Sequence, residues 1–132
     1  MSEGVTYEKF IKAYGKSEII FEENSIGNEM YIVSSGRVKL YTQPKTGRRT
    51  VLAILKPGEH FGEMALVDGS PRSATAVAHK DNTKLVVLDK AKFLYLVQQQ
   101  PEFAFAMMET LSKRIREANL QLAQAKTKRQ RG

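Results

Sequence analysis

Glu63 and Arg72 stand nine positions apart in the stretch Phe61-Gly62-Glu63-Met64-Ala65-Leu66-Val67-Asp68-Gly69-Ser70-Pro71-Arg72-Ser73-Ala74-Thr75. In isolation a glutamate and an arginine usually make a surface ion pair worth little. Their neighbours point elsewhere. Gly62, Ala65, Ser73 and Ala74 are small, so backbone N–H groups beside both charges can approach a ligand without interference from a Cβ. If Glu63 opens a single helical turn, free N–H groups and the positive end of the helix dipole meet an anion. Arg72 then adds a forked cation suited to phosphate oxygens. A carboxylate only accepts hydrogen bonds, so Glu63 would hold a hydroxyl donor beside that anion. A phosphate next to a sugar hydroxyl describes a nucleotide.

No other constellation of this kind occurs in the 132 residues. The chain has no cysteine, which excludes disulfides and thiolate metal sites and agrees with a reducing compartment. His60 and His79 are its only histidines, so the His-rich metal centre of an enzyme on a similar barrel cannot be assembled easily. His60, following Pro57-Gly58-Glu59, reads as a turn residue. No residue in the stretch is placed as a nucleophile or general base. The expectation is therefore binding without catalysis and without a metal or cofactor.

The elements that position these residues change character along the chain. Tyr7, Phe10, Ile11 and Tyr14 fall at helical spacing, which predicts a short N-terminal helix within residues 1–17. Over residues 18–88 the pattern becomes short β-branched and aromatic runs: Ile19–Phe21, Met30–Val33, Val38–Tyr41, Val51–Leu55 and Leu85–Leu88. Gly27, Gly36, Gly47, Pro57-Gly58 and Gly69-Ser70-Pro71 separate them, the layout of a mainly β, jelly-roll-like barrel. Asp89 is a natural N-cap for a helix that follows. Gln100-Pro101-Glu102 marks a break and a fresh helical start. Met108, Leu111, Ile115, Ala118, Leu122 and Ala125 then step by three and four, the seam spacing of a helix pair, over about two and a half heptads. Residues 126–132 read as a frayed, solvated basic tail.

The stretch 61–75 closely resembles the phosphate-binding cassette of the cyclic-nucleotide-binding domain family. Phe61-Gly62-Glu63-Met64-Ala65-Leu66 matches its opening and Pro71-Arg72-Ser73-Ala74-Thr75 its close, at the family's spacing. Phe21, Gly27, Tyr31, Ile32 and Gly36 fall where the family alternates strand apolars with tight turns. Asn24 stands where the family usually has glycine, and asparagine tolerates the left-handed turn expected there. The resemblance runs from about Ile19 to Leu122 and implies a single domain: an eight-stranded roll, a hinge helix, and a long C-terminal helix that lids the ligand or forms a homodimer interface. It implies that Glu63 binds the ribose 2′-hydroxyl of cyclic AMP or cyclic GMP. Arg72 takes the exocyclic phosphate oxygens, and backbone amides of Gly62, Ser73 and Ala74 complete the shell. Phe61, Met64, Ala65 and Thr75 complete the candidate ligand-binding set. In the resemblance, members selective for cyclic GMP carry threonine directly after the arginine; Ser73 here favours cyclic AMP. Asn119 falls where the long helix presents residues to the base.

The net charge of +7 invites a nucleic-acid reading, but more than half of it sits at Lys126, Lys128, Arg129 and Arg131. The body is not a basic patch, and nucleic acid is not an expected partner. No apolar run approaches the roughly 18 residues of a membrane span, and the first ten residues lack a signal-peptide layout. A cytoplasmic sensor or regulatory module with a separate, unspecified protein partner is expected. The alternative is the sensor half of a catabolite-activator-like transcription regulator. Such regulators carry a helix-turn-helix after the long helix, and this sequence ends at Gly132 without one.

Overall fold

The computed structural model describes residues 10–131, with side chains through Lys128. All five runs marked as strands in the sequence pair into sheets: β2 (Ile19–Phe21), β3 (Met30–Ser35), β4 (Val38–Thr42), β5 (Thr50–Leu55) and β8 (Thr83–Leu88). Three further strands join them, β1 (Ile11–Tyr14), β6 (His60–Phe61) and β7 (Thr75–Ala78). β1 corrects the expected N-terminal helix, of which residues 1–9 lie outside the described residues. Ile11–Tyr14 pairs antiparallel with Thr83–Val86, so a sheet edge satisfies its backbone, and Tyr14 enters the core. Tertiary pairing overrides a helical spacing carried by so few residues.

The eight strands among the described residues form two four-stranded antiparallel sheets, in the orders β1-β8-β3-β6 and β2-β7-β4-β5. This is the strand order of a jelly roll. The sheets do not close into the expected barrel. Closure would need β1 to pair with β2 and β5 with β6, and among the described residues neither pairing forms. The core draws on both sheets: Tyr14, Tyr31, Val33, Phe61 and Leu85 from the first, and Val38, Leu55, Ala76 and Ala78 from the second. Each fully buried large side chain in such a core contributes about 1.5–3 kcal/mol.

Among the described residues three helices interrupt or follow the sheets: α1 (Glu63–Asp68), α2 (Lys90–Gln99) and α3 (Pro101–Arg131). The Asp89 carboxylate accepts from the Lys92 N–H at 2.9 Å, confirming the N-cap. Pro101 opens α3 at a position where a missing N–H costs nothing. α3 is continuous to Arg131, so residues 126–131 are helix rather than a frayed tail. The chain divides into two compact units after Tyr95, within α2. Among the described residues no helix is long and apolar enough to cross a membrane.

Candidate functional site

The site begins where β6 turns into α1. β6 is only two residues long, held to β3 by the pairs Tyr31 with Phe61 and Ile32 with His60. Gly62 follows at φ 79° and ψ 9°, a left-handed conformation that turns strand into helix in one residue. Glycine is required there twice over, because a Cβ would also lie 2.8 Å from Nη1 of Arg72. Glu63 then opens α1 with its side chain buried.

Arg72 reaches this corner from the segment between α1 and β7. Its backbone is clamped to the β2–β3 connection: its N–H donates to the Ser25 carbonyl at 2.8 Å, and its own carbonyl accepts from the Asn24 N–H at 2.7 Å. Asn24 takes the left-handed conformation expected of it, at φ 70°. The same connection is tied down again where the Glu23 N–H donates to the Thr75 hydroxyl at 2.9 Å. These bonds fix where the arginine side chain starts.

Arg72 is 5% exposed. Nη1 donates to the Gly62 carbonyl at 3.1 Å. The guanidinium lies over the Phe21 ring, 4.1 Å from its centroid, and 5.7 Å from that of Tyr31. Phe21, Tyr31 and Phe61 form one aromatic cluster, with Tyr31 and Phe61 stacked at 5.1 Å. Nε is buried and has no hydrogen-bond partner among the described residues, and none of their carboxylates pairs with Arg72. Burial pulls the guanidinium pKa below its usual value, against the opposing influence of Tyr31 and Glu29. Burial also pushes the Tyr31 phenol up to about 12, with Glu29 adding to the rise, so the phenol stays neutral. A buried cation with an unused donor is costly unless an anion meets it. The donor set suits a phosphate.

The remaining residues of the candidate set divide by environment. Ala65, Ala74 and Thr75 are buried, whereas Met64 is half exposed and Ser73 exposed. The Phe61 ring belongs to the core, beneath the aromatic shelf on which the guanidinium rests. Asn119 is an exposed residue of α3, in the second compact unit. His60, expected in a turn, is instead a buried strand residue whose Nδ1 lies 2.8 Å from Glu63 Oε1. Four other residues were missed as parts of the site: Gly27, Phe21, Tyr31 and Glu29. A Cβ on Gly27 would lie 2.5 Å from Arg72 Nη2, so this glycine makes room for the guanidinium. Its position between two strand runs was the available signal, but it read as a turn.

Fold and site together define a two-sheet jelly roll in which a strand–glycine–helix corner meets a buried arginine. The chain belongs to the cyclic-nucleotide-binding domain family: the family profile described as "Cyclic nucleotide-binding domain" matches residues 11–100. It is 40% identical over 111 residues to the "Cyclic AMP receptor protein" of Thermus thermophilus, covering 84% of this chain and 51% of that protein. The crystal structure of the Thermus thermophilus catabolite activator protein superposes with a TM-score of 0.77 at 39% identity, covering 85% of this chain and 52% of that one. The cAMP-bound form of the EAL enzyme Bd1971 superposes with a TM-score of 0.60 at 36% identity, covering 82% and 29%. Bd1971 is also known in a cGMP-bound form. This chain spans about half the length of the curated relatives it matches first.

Proposed function

We propose that this chain binds a cyclic nucleotide, cyclic AMP in preference to cyclic GMP, as a cytoplasmic sensor or regulatory module that catalyses nothing. The observation that carries this reading is the buried Arg72 guanidinium, held on the Phe21 face with Nε lacking a partner among the described residues. Arg72 meets the exocyclic oxygens of the cyclic phosphate, with backbone amides of Gly62, Ser73 and Ala74 around it. The Glu63 carboxylate accepts from the ribose 2′-hydroxyl. Phe61, Met64, Ala65 and Thr75 line or support this cassette. Ser73 and the likeness to a cyclic AMP receptor protein favour adenine. A relative known with either nucleotide makes the preference one of degree.

Calorimetric titration with cyclic AMP, cyclic GMP and a cyclic dinucleotide tests the reading, with cyclic AMP expected to bind most tightly. A tenfold preference for cyclic GMP overturns the choice of base, and no binding to any of the three overturns the whole. Glu63→Ala should weaken cyclic AMP by about tenfold, since a hydrogen bond to a charged group contributes about 1.5 kcal/mol or more.

The reading extends to α3 as ligand lid and homodimer seam. Met108, Ile115 and Leu122 are 59%, 60% and 57% exposed, an apolar stripe continued by Leu111, Ala118 and Ala125. Such a stripe suits a second copy of the same helix. Asn119 stands one position round from Ala118, and its amide carries both donor and acceptor for a base edge. Ligand binding then biases the helix between two arrangements by no more than its difference in affinity for them. Sedimentation should give a dimer that Ile115→Glu dissociates, and Asn119→Ala should weaken cyclic nucleotide by a few fold. A stable monomer whose affinity ignores Asn119 overturns this extension alone.

A second reading, the sensor half of a catabolite-activator-like transcription regulator, is favoured by alignment to only half of the Thermus protein. The mass of the native protein taken from cells separates the two. In the first reading the chain itself touches neither nucleic acid nor membrane.

A further inference from the structure

We infer that His60 is a positioning residue for Glu63, and that it sets how strongly the site discriminates a ribose from a 2′-deoxyribose. The inference rests on the reading of Glu63 as the acceptor for the sugar hydroxyl, and it concerns a residue outside the cassette pattern. His60 and Glu63 are 7% and 8% exposed, and His60 Nδ1 lies 2.8 Å from Glu63 Oε1. Two links fix the geometry. The His60 backbone is paired with Ile32 of β3, so the imidazole starts from a sheet. The left-handed Gly62 then folds the chain back, so that residues three apart across the corner meet side chain to side chain.

A glutamate has three rotatable bonds, and holding it in one rotamer costs conformational freedom that each ligand would otherwise have to supply. A bond from His60 fixes one carboxylate oxygen and, with it, the plane of the group. A carboxylate has about four acceptor positions, so accepting from Nδ1 leaves capacity for a ligand hydroxyl. With the carboxylate as acceptor, the imidazole tautomer that serves this bond carries its proton on Nδ1. His60 thus prepares the acceptor before the ligand arrives, and preorganisation of this kind raises affinity only for ligands that use the acceptor. That selectivity separates positioning from general structural support.

The test compares cyclic AMP with 2′-deoxy cyclic AMP on the full chain. Wild type is expected to favour cyclic AMP by tenfold or more. His60→Leu should cut that ratio at least fivefold by weakening cyclic AMP while leaving the 2′-deoxy ligand nearly unchanged. His60→Asn, whose amide nitrogen occupies the Nδ1 position, should restore most of the ratio; His60→Gln, which reaches too far, should not. If the leucine variant does not fold, the asparagine and glutamine pair decides in the same way. A leucine variant that weakens both ligands equally, or an asparagine variant no better than glutamine, overturns the role of His60. A wild-type protein that binds cyclic AMP but ignores the 2′-hydroxyl overturns the reading of Glu63 instead.

Discussion

Arg72→Ala is expected to weaken cyclic nucleotide binding by about 2–5 kcal/mol, on the order of 30-fold to several-thousand-fold, while the domain remains folded. The loss is large because the guanidinium is desolvated before any ligand arrives. Phe21 and Tyr31 lie beneath it and the Gly62 carbonyl holds one nitrogen, so its electrostatic pull on a phosphate is little screened by water. The fold survives for two reasons. The clamp to Asn24 and Ser25 runs through the Arg72 backbone and is untouched by truncation. The side chain lost is a buried cation with an unsatisfied Nε, whose removal relieves a desolvation cost as well as deleting contacts. Calorimetry with cyclic AMP measures the binding loss, and urea unfolding tests whether cooperativity is kept. Arg72→Lys should recover only part of the affinity, because an ammonium offers a point charge where the site is shaped for a planar fork. An Arg72→Ala protein that binds as wild type does would remove the phosphate assignment.

The sequence made the β pattern readable where a strand is long enough to carry its own alternation or apolar run. β3, β4, β5 and β8 are of this kind, and so is the Asp89 cap. It failed where pairing is decided by the partner. β6 is two residues long and exists because β3 lies beside it. β1 carries a spacing that suits a helix and becomes a strand because β8 offers an edge. β7 is Thr-Ala-Val-Ala, four residues with an alanine at every second position, and is buried on both faces, so it shows no polar–apolar alternation. Closure was over-read for a related reason: no local signal says whether two edge strands meet. At the candidate site, Glu63 and Arg72 drew notice in the sequence because they are chemically conspicuous. Their supports were not. His60 gains its meaning only from a distance of 2.8 Å, and Phe21 and Tyr31 read as ordinary strand apolars until a guanidinium is found on them.

Gly27→Ala is expected to lower cyclic nucleotide affinity at least thirtyfold, approaching Arg72→Ala, with little change in stability. The added Cβ would lie 2.5 Å from Nη2 of Arg72 and 2.9 Å from both Cζ and Nε, distances that no real contact sustains. Something must move, and the guanidinium sits at the end of a flexible side chain. Displacing it spares the backbone, and Gly27 itself is not in a left-handed conformation, so alanine adds no torsional strain. Unfolding free energy should therefore change by no more than about 1 kcal/mol, the usual range for a substitution without core damage. Gly62→Ala differs, because φ of 79° adds about 1–2 kcal/mol of backbone strain to its own clash with Nη1. Gly27 thus isolates the position of the cation from the stability of the corner. The double variant Gly27→Ala/Arg72→Ala settles the mechanism, because two changes acting on one group should not add. Its affinity should match that of Arg72→Ala alone. A double variant weaker by the product of the two losses would mean that Gly27 contacts the ligand itself, and an unimpaired Gly27→Ala would mean that the guanidinium binds phosphate from some other position.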